Sequence, residues 1–333
     1  MDCDAALRES VNATTCVINE NQVRGLPHYG IWSIVVRQAF GGRIMMRKIG
    51  LFTLLTVFGG SAYAQVEDIS WKTAEVVPGI YMLEGVGGFA GGNLGVVTGE
   101  DGVVLIDDGI QPMQAKTVAA VAEAAGAPIS FLINTHAHGD HTGANPQFHR
   151  QGATIVGHDK VREALAANDK FDAAGLPELT FNDTMTFHLN GHTAYVFHLP
   201  KAHTSGDAAI QFKDVNVIHT GDVLFNGMFP FIDLDGGGSV DGYIAGQQKI
   251  LALADDRTKI IPGHGHLATR ADLKAAMDMI IDAQARVKAL VDAGKSKDEV
   301  LAANPLSVYD SWSWDFINTQ AFTEMLYRSL TSD

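Results

Sequence analysis

The sequence predicts an α/β sandwich: two sheets packed face to face, helices on their outer sides, and a helical extension at the C-terminal end. Three observations carry that expectation. Strand and helix patterns arrive in two successive halves, each closing in loops that hold His and Asp, as two packed layers with outer helices require. An apolar content of 46% over 333 residues is enough to fill a core between layers. From Arg270 onward the spacing of apolar residues is helical.

In chain order, Val76 to Leu83 reads as strand broken by a Pro78-Gly79 turn, followed by a Gly-rich segment from Val86 to Gly92. Asn93 to Thr98 and Val103 to Ile106 flank a Glu100-Asp101-Gly102 turn, a hairpin signal. Met113 to Ala125 has helical spacing, and Phe131 to Asn134 is a short apolar strand. In the second half Thr184 to Leu189, Ala194 to Leu199, Ala208 to Phe212 and Val215 to His219 read as strands. Val240 to Leu253 reads as a helix and Lys259 to Ile261 as a strand. The stripe Leu273, Met277, Ile280, Gln284, Val287, Val291 marks a long helix, apolar at every place but Gln284. Ser296-Lys297-Asp298-Glu299 is a capping-box signature for the next one. The tail aromatics Tyr309, Trp312, Trp314, Phe316, Phe322 and Tyr327 are expected to pack onto the core, with a substrate-lining role for Trp312 or Trp314 as the alternative.

The first 64 residues have a different character. Met46-Arg47-Lys48, the apolar run Ile49 to Gly60 and Ala62-Tyr63-Ala64 before Gln65 are the three regions of a secretory signal peptide. The run is shorter than the ~20 residues that span a bilayer, so no stable membrane association is expected after cleavage. The expected organisation is residues 1–64 removed (leader 46–64), a domain over 65–269 and a packed extension over 270–333, in a periplasmic or secreted protein. Cys3 and Cys16 both fall in the removed part, leaving no disulfide and no thiolate ligand. Removal also takes away six Lys/Arg and four Asp/Glu, leaving 18 basic against 34 acidic groups. So acidic a surface repels nucleic acid and anionic lipid, and points to a small-molecule substrate.

The chemistry is concentrated in His136-Ala137-His138-Gly139-Asp140-His141. Imidazole and carboxylate suit zinc-like ions. Alternation puts His136 and His138 on one side of an extended loop, while Asp140 and His141 turn towards a second position. One ion cannot easily use all four, which argues for two. His203, Asp222 and His264 each follow a predicted strand and offer the remaining ligands.

With these motifs, and with Leu105-Ile106-Asp107 ahead of them, the chain resembles the metallo-β-lactamase superfamily over about Val76 to Ala268. The resemblance implies an αββα sandwich of two mostly antiparallel sheets with the metals at one edge. It implies one zinc held by His136, His138 and His203, and a second held by Asp140, His141 and His264. Asp222 would bridge them, Asp107 or its neighbour Asp108 would orient the ligand loop, and another divalent metal could replace zinc. Such a pair brings the pKa of a shared water down to ~7, giving hydroxide that Asp140 would hold in line. Phe225 and His266 are further candidates to line the substrate. His188, His192, His198 and His219 sit on strands and read as structural.

For the reaction, the exported address and the Gly-rich segment favour a promiscuous metallo-β-lactamase. Asp222 stands where one β-lactamase subclass has Cys, and Phe225 where it has a carboxylate-binding Lys, with Lys201 a substitute. A lactonase or esterase therefore follows closely, then a small phosphodiesterase and, from a different class, an iron oxidoreductase.

Overall fold

A computed structural model describes residues 66–331; the leader read at 46–64 lies outside them. The first sheet runs in chain order: β1 (Ser70–Val77), β2 (Ile80–Val86), β3 (Leu94–Val97), β4 (Val103–Ile106), β5 (Ile129–Ile133), β6 (Thr154–His158) and β7 (Leu179–Phe181). The second, from β8 (Thr184–Leu189) through β9 (His192–His198), β10 (Ala208–Phe212), β11 (Val217–His219) and β12 (Lys259–Ile261) to β13 (Ala268–Thr269), is also sequential.

The connections decide strand direction. Short connections without helix join β1 to β4, and those pairs are antiparallel. From β4 to β7 every pair is parallel, because each connection carries helix and is long enough for a crossover. These are α1 (Gln114–Ala125), then α2 (Gly139–Thr142) with α3 (Asn145–Arg150), then α4 (Asp159–Ala167). In the second sheet only β11 and β12 are parallel, joined through α5 (Val240–Leu253). The first sheet is therefore half parallel, and the antiparallel majority comes from the second. Residues 145–181, where the sequence reading placed no element, supply α3, β6, α4 and β7.

Side chains of both sheets meet in one core, Ile80, Val97, Val104, Ile106, Ile133 and Val156 against Val196, Ile210, Phe212, Val217 and Ile261. Strands β3 and β4 are buried at every position, since helix α1 and its neighbours cover their outer face, which explains continuous apolar runs in place of alternation.

Beyond β13 come α6 (Arg270–Asp292), α7 (Lys297–Ala303) and α8 (Thr319–Thr331). Thr269 with Asp272, and Ser296 with Glu299, form capping boxes at the first two. Helix α6 buries Leu273, Ala276, Met279, Ile280, Ala283 and Val287, while Gln284 donates to Asp241 Oδ1 at 2.8 Å. The tail aromatics divide. Phe322 is buried and stacks on Phe229 with centroids 4.7 Å apart, and Trp312 joins the core, but Trp314 and Phe316 turn to the open end of the sandwich. Among the described residues no helix is long and apolar enough to cross a membrane.

Truncating Phe322 to Ala removes a fully buried ring. We expect a loss of about 3–5 kcal/mol in urea unfolding, as one transition followed alike by fluorescence and circular dichroism. A loss below about 1 kcal/mol would mean that α8 does not unfold with the sandwich.

Candidate metal centre

The seven expected ligands come from four connections: His136 and His138 after β5, continuing into Asp140 and His141 of α2, His203 after β9, Asp222 after β11 and His264 after β12. Folding brings all seven together in two groups. His136, His138, His203 and Asp222 offer ligand atoms within 4.8 Å of one another, and so do Asp140, His141, Asp222 and His264. Asp222 belongs to both. Its Oδ1 lies 3.0 Å from His141 Nε2, and its Oδ2 lies 3.4 Å from both His203 Nε2 and His264 Nε2 and 3.8 Å from His136 Nε2. Asp140 Oδ2 reaches His141 Nε2 at 3.5 Å and His264 Nε2 at 3.4 Å.

Hydrogen bonds set which ring nitrogen faces the centre. Asp107, in a left-handed backbone conformation (φ 57°) that a residue with Cβ seldom adopts, accepts from Thr135 N at 2.8 Å and from Thr135 Oγ1 at 2.7 Å. Its Oδ2 also takes the Nδ1 proton of His141 at 2.8 Å. Because the Thr135 hydroxyl proton is spent on Asp107, Thr135 Oγ1 can only accept from His136 Nδ1, 3.1 Å away. His203 Nδ1 donates to the Phe231 carbonyl at 2.7 Å, and His138 Nε2 donates to Asp233 Oδ2 at 2.9 Å. Each of these four imidazoles thus gives its proton to the protein and turns a bare nitrogen inward.

That arrangement leaves atoms that only a cation or extra protons can satisfy. His138 Nδ1 and His203 Nε2 face each other at 2.8 Å with both donor nitrogens already committed. His136 Nε2, His141 Nε2 and Asp222 Oδ1 are buried with no hydrogen-bond partner. Such a set costs several kcal/mol unless paired, and it fits two divalent ions with nitrogen and oxygen ligands.

The electrostatics agree. Burial, then the neighbouring His141, holds His136 well below its ordinary value, and burial pulls His203 down to about 4, both towards the neutral form in which imidazole binds metal. Burial is outweighed, by contrast, at His141 by Asp222 and Asp140 and at His138 by Asp233 and Asp222, which raise both. Burial opposes charge on His264, yet Asp222 and Asp140 raise it to about 9. Burial likewise opposes charge on Asp222, but His141 and His264 hold its carboxyl well below the usual range. The carboxylates thus attract positive charge into the centre.

Several supporting groups carry no signature in the sequence. Asn93 Nδ2 donates to the Pro262 and Gly265 carbonyls at 3.0 and 2.7 Å, clasping the turn that bears His264. On α5, Tyr243 Oη and Gln247 Nε2 donate to the carbonyls of Asp222 and Val223 at 2.9 and 3.0 Å. Their i, i+4 spacing on a buried face was the available clue. A Cβ on Gly92 would sit 2.1 Å from the His141 ring, and one on Gly263 would sit 2.0 Å from Asp222 Oδ1, so neither position admits a side chain.

Phe225 is buried, stacks on His264 at 4.7 Å and lines the adjoining cavity of about 640 Å³. Phe89, Phe231, Trp314 and Phe316 complete its apolar wall, and no Lys or Arg among the described residues lines it. Three expectations change. His266 does not line this cavity; it is exposed and pairs with Glu84. Lys201 is exposed and is not among the lining residues either. Asp108 accepts the Ala144 N–H at 2.9 Å, which leaves the orienting role to Asp107. His192 pairs with Asp214 and His198 stacks on His158, both outside the centre, and His219 is buried in the strand that leads to Asp222.

A family model described as the metallo-beta-lactamase superfamily matches residues 87–266. The chain is 28% identical over 173 residues to a hydroxyacylglutathione hydrolase of Pelagibacter ubique, an alignment covering 51% of this chain and 65% of that one. It is 25% identical over 214 residues to an acyl-coenzyme A thioesterase of Homo sapiens, covering 52% and 72%. Among solved structures, a metallo-beta-lactamase from Pontibacter korlensis superposes with a TM-score of 0.57 at 17% identity, over 64% of this chain and 100% of that one.

Substituting Gly263→Ala forces the Asp222 carboxylate to move. We expect zinc affinity, measured by competition with a chromogenic chelator, to fall about 10- to 100-fold while the far-ultraviolet spectrum is retained. Wild-type affinity would show that the turn gives way instead and that Asp222 is not held where the ions need it.

Proposed function

This chain belongs to the metallo-β-lactamase superfamily, and on that premise we propose that it is a metal-dependent hydrolase that uses two zinc ions to hydrolyse the acyl bond of an uncharged ester, thioester or lactone. The observation that carries the proposal is Asp222, one buried carboxylate shared by two groups of ligands in which, among the described residues, its own Oδ1, His136 Nε2 and His141 Nε2 are buried without a hydrogen-bond partner. His136, His138 and His203 would hold one ion, Asp140, His141 and His264 the other, with Asp222 common to both. When bound, such a pair lowers the pKa of water to ~7 and polarises a carbonyl or leaving oxygen.

The chain's own residues do the rest. Asp140 lines the cavity and its side chain is partly exposed, so its carboxylate can orient a water towards the substrate and take its proton. Asp107, Thr135 and Asp233 keep the imidazoles from rotating when substrate enters. The apolar wall of Phe89, Phe225, Phe231 and Trp314 packs beside the ligand imidazoles and keeps water from that side of the centre.

The choice of substrate rests on charge. A cavity without Lys or Arg, in a chain of net charge −14, gives no partner to a phosphodiester or to a pendant carboxylate beyond the ions themselves. The names of the two relatives, one a hydrolase of a hydroxyacyl compound and one an acyl thioesterase, favour acyl transfer to water. A β-lactam is the second reading, supported by the fold likeness to the Pontibacter enzyme. It is weakened by Phe225, which stacks on His264 and offers no cation to the β-lactam carboxylate. Export through the 46–64 leader belongs to the same proposal and would place the substrate outside the cytoplasm.

The zinc-loaded full chain should be assayed on 4-nitrophenyl acetate, an acyl thioester, an acyl lactone, a chromogenic cephalosporin and bis(4-nitrophenyl) phosphate. We expect kcat/KM for the acyl esters to exceed the last two by at least about tenfold, a difference of ~1.4 kcal/mol in barrier. His136→Ala should abolish turnover of all of them. Preference for the phosphodiester or the cephalosporin would overturn the substrate class, and activity retained in His136→Ala would overturn the centre.

A further inference from the structure

Four rings from three distant stretches of chain meet at the mouth of the cavity. Phe89 comes from the Gly-rich loop between β2 and β3, Phe225 from the loop after Asp222, and Trp314 and Phe316 from the tail before α8. Centroid separations are 5.2 Å for Phe89 to Phe316, 5.1 Å for Trp314 to Phe316 and 5.9 Å for Phe225 to Trp314, distances at which aromatic pairs attract. Phe89 also lies parallel to the His264 ring, at 11° and 6.1 Å, so the cluster is continuous with the metal ligands.

Two features separate this cluster from ordinary core. Phe89, Phe231 and Phe316 keep 39%, 42% and 61% of their surface exposed, and all three border one opening. Exposed apolar side chains scattered singly need no explanation, but several around a single concavity mark a binding surface. The tail is also fastened there. Phe229 N donates to the Trp312 carbonyl at 2.9 Å, Trp314 Nε1 donates to the Phe229 carbonyl at 2.9 Å, and Trp314 N donates to the Ile317 carbonyl at 3.0 Å. Among the described residues, Phe316 makes ring contacts with Phe89 and Trp314. The tail therefore presents one wall of the cavity, and the Gly-rich loop lays Phe89 against Phe316 to continue it.

We propose that Phe89 and Phe316, in contact with each other and backed by Trp314, form a clamp whose cavity-facing side holds the uncharged hydrocarbon part of the substrate, an acyl chain or aryl ring, against the opposite lining, so that the segment leading into α8 sets specificity. This rests on the ester-hydrolase reading above. The cavity volume of about 640 Å³ is in the range of small-molecule sites, ~300–1,000 Å³, which leaves room for such a group beside the ligands. Burying one methylene is worth about a fourfold gain in affinity, so lengthening the acyl chain should raise kcat/KM until the clamp is filled.

The test compares 4-nitrophenyl acetate, butyrate, hexanoate and octanoate on the zinc-loaded full chain and its Phe89→Ala and Phe316→Ala variants. Val308→Ala, an exposed change on the same tail outside the cavity, is the control. A neutral fluorescent probe, N-phenyl-1-naphthylamine, reports binding without turnover. Expected are an octanoate-to-acetate ratio of at least about tenfold in the parent and in Val308→Ala, a ratio near one in either Phe variant, and probe binding weakened about tenfold in both. An unchanged ratio and unchanged probe binding in the Phe variants would overturn the clamp, whatever the rate on acetate. If no ester is turned over while the probe binds the parent and not the Phe variants, the ester reading fails and the clamp stands.

Discussion

A carboxylate as deeply buried as that of Asp222 is stable only if positive charge meets it. Here it stands between imidazoles of two different ligand groups, which make it the natural meeting point for two cations. The open end of the sandwich is arranged to keep that meeting in register. Tyr243 and Gln247 hold the Asp222 loop from α5, Asn93 holds the His264 turn from β3, and glycines stand where a methyl would strike the Asp222 carboxylate or the His141 ring. The two sheets contribute ligands from opposite sides, so neither half of the chain completes the centre alone.

A second shell of acceptors acts on the nitrogens rather than on the ions. Asp107, the Phe231 carbonyl and Asp233 each accept the N–H of an outward imidazole nitrogen and so leave the inward one bare, and Thr135 does so for His136 only because its own hydroxyl proton is donated to Asp107. This hierarchy places Asp107 above the other supports. It explains why that residue tolerates a backbone conformation that disfavours side chains bearing Cβ.

The ligands were legible in the sequence because His136 to His141 are neighbours and because His203, Asp222 and His264 each close a recognisable strand. Helix α5 and strands β10 and β12 were read to their ends, since apolar patterns and flanking turns bound them clearly. What escaped has a common cause, dependence on distant chain. Asp233 meets His138 across 95 positions, and Asn93 meets Pro262 across 169, from loops without any period. Strand β6 and helix α4 are short and contain Gly157 and His158, which blur the apolar signal. His266, expected to line the substrate because it neighbours His264, does not, since Gly265 at φ 91° turns the chain between them, leaving His264 inward and His266 paired with Glu84. The aromatic tail held two roles, and no spacing could separate Trp312, which packs, from Trp314, which borders the cavity.

The central claim is that two ions share Asp222. Anomalous X-ray scattering above and below the zinc edge, from crystals of the zinc-loaded chain, tests it most directly. Two peaks ~3.5–4 Å apart, as in other two-metal sites, are expected, each within bonding distance of Asp222 and one on each ligand group. A single peak, or two peaks of which one makes no contact with Asp222, would contradict it.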